Sequence, residues 1–344
     1  MLELKKLANY SVFKCGHSSV VERLVANEKV EGSTPFARSR LIILNFFTKL
    51  FQWYIEDKDI RVFKNNIIYY ILFRLVRKFL NKNLVVKIYN FKILASNEKN
   101  NASHALIRRC GFDDQVELKL LNKLSNENKI LFYDCGSNYG FYSLYVANLS
   151  LSNKVVAIEA SSKTSQALKN NIKLNLQKNI KIYNNLLSDN DEQKIIFNES
   201  HNDWESSTNH KNFKLKKKIK ILTKKIDTLS SKITDLDEYE LVIKLDIEGN
   251  EFKALAGATK TIEKYSPLII IEFAKFIFDQ KNSKNFLNNF LKNYNYKIFN
   301  RNYVNVDEDE IYDQINMLDH RYKTIGNYFL VKKNSNIFKY FSNE

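Results

Sequence analysis

The chain has 344 residues, 44% hydrophobic and 27% charged, which is a globular composition and long enough for one large domain or a main domain with an extension. Lys and Arg outnumber Asp and Glu by 54 to 38, a formal charge of +16 that favours anionic partners such as phosphorylated sugars, nucleic acid or a membrane face. Cys15, Cys110 and Cys135 have neither metal-ligand spacing nor a disulfide framework, and no apolar run is long enough for a transmembrane helix, so a reducing cytoplasm fits and a stapled or helix-spanning protein is excluded.

Residues 1–40 differ in composition from the remainder of the chain. The stretch HSSVVERLVANEKVEGSTPFARS (17–39) lacks the Asn, Ile and Lys bias found beyond residue 40. Gly32-Ser33-Thr34-Pro35 can be encoded as GGT-TCG-ACT-CC, the invariant T-arm sequence of a transfer-RNA gene, and the segment resembles the spurious translation read from such genes. It is expected to be a leader foreign to the fold, the alternative being a real N-terminal arm. The next methionine after Met1 is Met317, so a later start needs a non-ATG codon near residues 41–50. The segment carries seven Lys/Arg and four Glu, so the remaining chain is still about +13.

Residues 41–55 (LIILNFFTKLFQWYI) and 66–80 (NIIYYILFRLVRKFL) predict basic amphipathic helices, their apolar residues recurring at three and four positions. They belong to an N-terminal extension, 41–110. It offers either a peripheral contact with the inner membrane face or a helical cap packed on the main domain. Residues 84–93 alternate and predict one strand, 97–103 a polar loop, and 113–124 a helix with Leu118, Leu120, Leu121 and Leu124 on its inner side.

From Ile130 the chain alternates between the two periods. Strands are predicted at 130–133, 154–158, 180–183, 194–197, 241–245, 268–271, 296–299 and 328–331. Helices are predicted at 141–149, 164–176, 227–229, 251–256, 259–264 and 283–294. Between them, 201–218 reads as a Lys-rich polar insert and 219–224 as extended. The insert's Trp204-Glu205-Ser206-Ser207-Thr208 sets an aromatic beside hydroxyls, which suits the wall of a sugar site or a plain surface loop. The alternation implies a mostly parallel sheet covered by helices on both faces, spanning 111–335.

The stretch LFYDCGSNYGFYS (131–143) organises this region. A buried strand ends in Asp134, then Gly136, Asn138 and Gly140 lead into a helix. Strand, glycine turn, helix is how a Rossmann-like unit receives a nucleotide-type ligand. The spacing Gly-x-Asn-x-Gly is not the dinucleotide Gly-x-Gly-x-x-Gly, and no Walker lysine follows, which argues against NAD and ATP. Asp134, Glu159, Asp246 and Glu272 each end a predicted strand. Four acids converging on one sheet edge are costly unless paired or bound to ligand. Glu159 stands where an acid accepts from ribose hydroxyls, and Asp189, beside Ser188, could reach a base edge.

Four blocks together resemble the FkbM family of S-adenosylmethionine-dependent methyltransferases. They are FYDCGSNYGFYS (132–143); VAIEA (156–160) followed by LKNNIKLN (168–175); LSD (187–189); and IKLDIEGNE (243–251) with Leu255, Gly257, Pro267 and Ile271-Glu272. The Lys-x-Asp-x-Glu-Gly block is the most specific. Cys135, Ser137 and Ala160 depart from the family pattern without removing a group that the chemistry needs.

The resemblance implies a class I methyltransferase fold with a seven-stranded sheet. It places S-adenosylmethionine at Asp134, Gly136, Asn138, Gly140 and Glu159, with Ser188 and Asp189 near the adenine. It implies methylation of a hydroxyl, on a sugar, glycan or related small molecule. An alcohol must lose its proton as the new bond forms. Asp246, Glu248 and Glu272 are the candidate bases, and Lys244 could hold one carboxylate ionised. Asp246 and Glu248 could hold a divalent cation, but two carboxylates without His are weak evidence for one, and no metal is assigned. Two rival readings remain: an RNA ribose 2′-O-methyltransferase, suggested by the charge, and a non-catalytic Rossmann-like binding protein. The Lys residues are scattered rather than set in one recognisable module, so no specific nucleic-acid partner is expected.

Overall fold

The computed structural model describes residues 46–76, 84–95, 102–200, 215–318 and 324–342. The expectations for residues 1–40 and for the 204–208 insert core lie outside them. The chain divides into two compact units: the smaller holds the described residues 46–54 and 67–76, the larger the rest.

In the smaller unit, helix α1 (46–55) sets Phe51 against α2 (Ile67–Val76). The Phe51 ring lies 5.4 Å from Tyr69 and 6.0 Å from Phe73, centroid to centroid. The sequence of α2, IIYYILFRLV, is apolar nearly all the way round.

The larger unit begins with a one-turn 3-10 helix, Ile60–Phe63, whose cap Asp59 accepts from the backbone N–H groups of Arg61 (2.9 Å) and Tyr89 (2.8 Å). A hairpin of β1 (Leu84–Ile88) and β2 (Phe91–Ala95) follows. This corrects the single strand predicted over 84–93. Tyr89 takes a φ of 50°, and the buried phase slips there from Leu84, Val86 and Ile88 to Phe91 and Ile93. Helix α3 (Ala102–Arg109) begins where a loop was expected.

Next come α4 (Gln115–Glu127), β3 (Ile130–Cys135), α5 (Phe141–Leu149), β4 (Lys154–Ile158), α6 (Ser162–Leu174), β5 (Ile180–Tyr183), β6 (Leu186–Leu187), β7 (Lys194–Ser200) and β8 (Leu215–Lys224). They lead to α7 (Ile226–Ser230), β9 (Glu240–Leu245), α8 (Glu251–Ala256), α9 (Thr259–Tyr265) and β10 (Leu268–Ala274). The chain closes with α10 (Lys275–Phe278), α11 (Ser283–Tyr294), β11 (Tyr296–Phe299), β12 (Asn305–Val306), α12 (Glu308–Asn316) and β13 (Thr324–Lys332). Helix α6 starts two residues earlier than predicted because the Ser161 hydroxyl caps it, accepting from Thr164 N–H. The Lys-rich stretch read as insert is strand from Leu215, since β8 pairs antiparallel with the whole of β7.

The main sheet runs β12-β11-β13-β10-β9-β3-β4-β5. Strands β5, β4, β3, β9 and β10 are parallel, and β13 runs antiparallel between β10 and β11. The seven expected strands are present, and two-residue β12 adds an eighth at the edge. Every residue of β3 is buried, as a central strand covered on both faces requires. From β3 the chain order runs outward through β4 and β5 on one side and resumes with β9 and β10 on the other. That reversal opens a crevice at the carboxyl ends of β3 and β9.

Candidate functional site

The parallel register aims the site's charged groups. Asp134 on β3 pairs with Lys244 on β9, and Lys244 with Ile270 on β10. Side chains alternate along a strand. Two residues further on, Asp246 and Glu272 therefore fall on the same face as Lys244 and Asp134. Helix α5 covers that face and sets the Tyr142 ring 4.8 Å from Lys244 Nζ. The Tyr142 hydroxyl donates to Asp114 Oδ2 at 2.9 Å.

The glycine turn passes so close to the β9 loop that only a glycine fits. Gly136 has a φ of 81°, and a Cβ built there would stand 1.8 Å from the Asp246 carbonyl oxygen. Asn138 is also left-handed, at 48°, a conformation Asn tolerates better than most residues. Glu159, just past β4, grips the turn: its Oε2 accepts from Asn138 N–H at 2.9 Å and its Oε1 from Ser161 N–H at 2.8 Å. Gly136, Asn138, Glu159, Asp246 and Glu248 line one cleft, open to solvent, with Asn185 and Phe197 on its walls.

Beneath the cleft the charges are tightly paired. Lys244 Nζ donates to Asp246 Oδ2 at 2.7 Å; the Lys244 side chain is 4% exposed, that of Asp246 39%. Burial works to lower the Lys244 pKa, but the carboxylates of Asp246, Asp134 and Asp114 outweigh it and hold the ammonium above its ordinary value. Asp134 is buried and accepts from the Ser143 hydroxyl at 2.5 Å. Burial pushes its carboxyl up, against the pull of Lys244. Glu272 is pushed up to about 8 by burial and by Asp246 beside it. Carboxyl oxygens of Asp246, Glu248 and Glu272 lie within 4.8 Å of one another, so Glu272 joins the pair read from the sequence in a candidate donor set for a divalent cation.

A family profile for the methyltransferase FkbM domain matches residues 134–298. The chain carries an FkbM methyltransferase domain. Its sheet order and antiparallel β13 are those of the class I methyltransferase fold. No curated protein matches the chain. Similar solved structures include methyltransferase FkbM from Methylobacillus flagellatus, at 17% identity and TM-score 0.36, covering 85% of this chain and 60% of that one. A precorrin-6y C5,15-methyltransferase from Geobacter metallireducens is 10% identical at TM-score 0.33, covering 63% and 86%. TYW2 of M. jannaschii, solved with AdoMet, is 14% identical at 0.35, covering 72% and 84%. This chain thus spans less than two thirds of the Methylobacillus protein.

Within the methyltransferase domain the predicted residues fall into three places. Gly136, Asn138, Glu159, Asp246 and Glu248 line the cleft. Asp134, Lys244 and Glu272 sit on one sheet face, joined to it through Asp246. Gly140, with a φ of 83°, starts α5 against Leu168, Ser188 is buried, and Asp189 is exposed; none of these three lines the cleft. Glu272 lies inside β10 rather than at its end, because β13 pairs with β10 as far as Ala274.

Sequence reading missed the role of Glu251. Its buried carboxylate accepts from Ile247 N–H (3.0 Å) and Gly249 N–H (2.9 Å), holding the loop in which Glu248 takes a φ of 53°. An acid two residues after a glycine, at a helix start, is the signal that could have found it. Tyr142, Asn185 and Phe197 carry no such signal, since only the folded chain brings them to the site.

Proposed function

We propose that the methyltransferase domain binds S-adenosylmethionine in the cleft beside β3 and β4 and directs its methyl group to a hydroxyl of a sugar, glycan or related small molecule. One observation carries this reading: the glycine turn, the Glu159 carboxylate and Asp246 face one cleft. The residues fit that group. Gly136 lines the cleft with backbone alone, its missing side chain making room for the Asp246 carbonyl. Asn138 Oδ1 is buried with no hydrogen-bond partner among the described residues. Glu159 puts a carboxylate on the cleft wall, accepting from Asn138 N–H and Ser161 N–H, and an acceptor-only group of that kind suits ribose hydroxyls. Bound there, the cofactor supplies an electrophilic methyl on a sulfonium sulfur.

The chain's own residues then divide the work. Asp246 is the base we assign: it reaches the cleft while Lys244, behind it, fixes one carboxyl oxygen. Burial and the neighbouring Asp246 push the Glu272 carboxyl up, which favours its protonated form and makes Asp246 the better base of the two. Holding the hydroxyl oxygen in line with the methyl supplies much of the remaining rate. The test is transfer of labelled methyl from S-adenosylmethionine into sugar-nucleotide and glycan fractions, with RNA in parallel. Label in a glycan or sugar fraction is the expected result. Label on ribose 2′-oxygens of RNA, with steep salt dependence, overturns the acceptor. Failure to bind S-adenosylmethionine in calorimetry overturns the whole reading.

A further inference from the structure

The smaller unit displays an apolar surface beyond the one that packs α1 against α2. On α2, Tyr69, Leu72 and Phe73 are buried, while Ile67 (73% exposed), Ile68, Ile71 and Leu75 face solvent. At 3.6 residues per turn those four fall within roughly 100° of arc. Arg74 and Tyr70 run along one margin and are also exposed. Helix α1 repeats the arrangement: Phe46, Lys49 and Trp53 share one stripe and are all exposed. A helix that is apolar on its packed side and again on its open side needs a second apolar phase. At ten residues α2 is about 15 Å long, half the ~30 Å of a bilayer's hydrocarbon core. No helix among the described residues is long and apolar enough to cross a membrane.

We propose that this surface seats in the interface of an anionic lipid bilayer, with α1 and α2 lying along it. Charge selects the occupant. Residues 41–54 and 67–80 carry Lys49, Arg74, Arg77 and Lys78 and not one acid, within a chain of net charge +16. Each apolar stripe is edged by a cation, Lys49 or Arg74, whose aliphatic stem can lie on hydrocarbon while its head meets a phosphate. Trp53 and Tyr70 are the amphipathic aromatics that favour headgroup depth. The inference does not depend on the cofactor or the acceptor.

The test uses the full chain and vesicles of phosphatidylglycerol mixed with phosphatidylcholine, against phosphatidylcholine alone. The chain should sediment with the mixed vesicles, less with the neutral ones, and progressively less as salt rises. Ile67→Asp with Ile71→Asp should lower partitioning at least about tenfold, and Arg74→Glu by several-fold. The chain has two tryptophans, so Trp204→Phe leaves Trp53 as the only indole, and its emission should shift to the blue on mixed vesicles. If the aspartate pair disturbs the circular dichroism, Arg74→Glu, on an exposed side chain, decides. No sedimentation with anionic vesicles overturns the proposal. So does self-association that the same aspartates dissolve without any vesicle binding, which would give the face to a second copy.

Discussion

Substituting alanine at three glycines separates two costs that coincide at Gly136. There φ is 81° and a Cβ would stand 1.8 Å from the Asp246 carbonyl oxygen. Gly140 has the same handedness at 83°, but its Cβ would meet only Leu168 Cδ1, at 2.3 Å, the movable end of a side chain. Gly257 has an ordinary φ of −83°, but its Cβ would press on the Ser188 carbonyl oxygen at 2.1 Å. A left-handed alanine costs about 1–2 kcal/mol, and forcing backbone apart in a packed site adds about 1–3 kcal/mol. Gly136→Ala should therefore cost about 2–5 kcal/mol, against about 1–3 kcal/mol for either of the others. At roughly 2–4 °C per kcal/mol, the Gly136 variant should melt about 4–20 °C lower. The displaced carbonyl belongs to Asp246, so cofactor affinity and turnover should fall together. Thermal melts and calorimetry with S-adenosylmethionine measure both. If Gly136→Ala melts with the parent, or costs less than Gly140→Ala, the backbone contact is not what demands glycine and the site geometry is wrong.

Glu159→Gln should weaken cofactor binding by roughly 10–100-fold, because one amide oxygen cannot replace a carboxylate that accepts from Asn138 and Ser161 and, in the proposed complex, from a ribose. Unchanged affinity in calorimetry would remove Glu159 from the site. Asp246→Asn should leave that affinity nearly as it was and lower methyl transfer by roughly 100-fold or more, as loss of a general base does; an undiminished rate would pass the role to another group. Glu251 is held at about 7, above an ordinary 4.5, chiefly by burial. A raised carboxyl pKa means the native state binds the extra proton, so stability is full below pH 4.5 and falls as pH climbs to about 7. Its share is about 3 kcal/mol. Chemical denaturation across that range should show a shallower decline in Glu251→Gln, and an identical slope would contradict the assignment.

Periodicity made the central sheet legible. Short apolar runs at 130–133, 241–243 and 268–271 have the length of buried strands, and each lies in one. The hairpin at 84–95 was not legible, because Tyr89 and Asn90 carry no glycine and alternation hides a turn whose only mark is a phase slip. Helix α12 was invisible for another reason: DEDEIYDQIN shows Asp307 as a cap but few apolar positions, and Ile311 and Ile315 alone are buried. At the site, spacing could name the acids but not order them. Lys244, Asp246, Asp134 and Glu272 share a face only because of strand register, which sequence does not state. Nor could it show that Asp189 would be exposed while Asn185 joined the cleft wall.

The two halves of the site are mechanically one. Asp246 N–H donates to the Cys135 carbonyl at 3.1 Å, and the Asp246 carbonyl occupies the space a side chain at 136 would need. The glycine turn and the acid-bearing loop are therefore packed backbone to backbone, with no flexible side chain between them. Glu251 holds the far side of the same loop by two N–H groups, and Asn250 Nδ2 ties it to the Leu187 carbonyl beside the cleft. A methyl donor and an acceptor must meet within a few tenths of an ångström of in-line geometry. A loop free to drift would lose that alignment, whereas here any shift of Asp246 must also shift the glycine turn. The left-handed Glu248 and Asn138 are the strained residues that such close packing requires, one in each half. That is why the Lys-x-Asp-x-Glu-Gly block and the Gly-x-Asn-x-Gly turn, more than a hundred residues apart, carry the specificity of the sequence: each is shaped to fit the other.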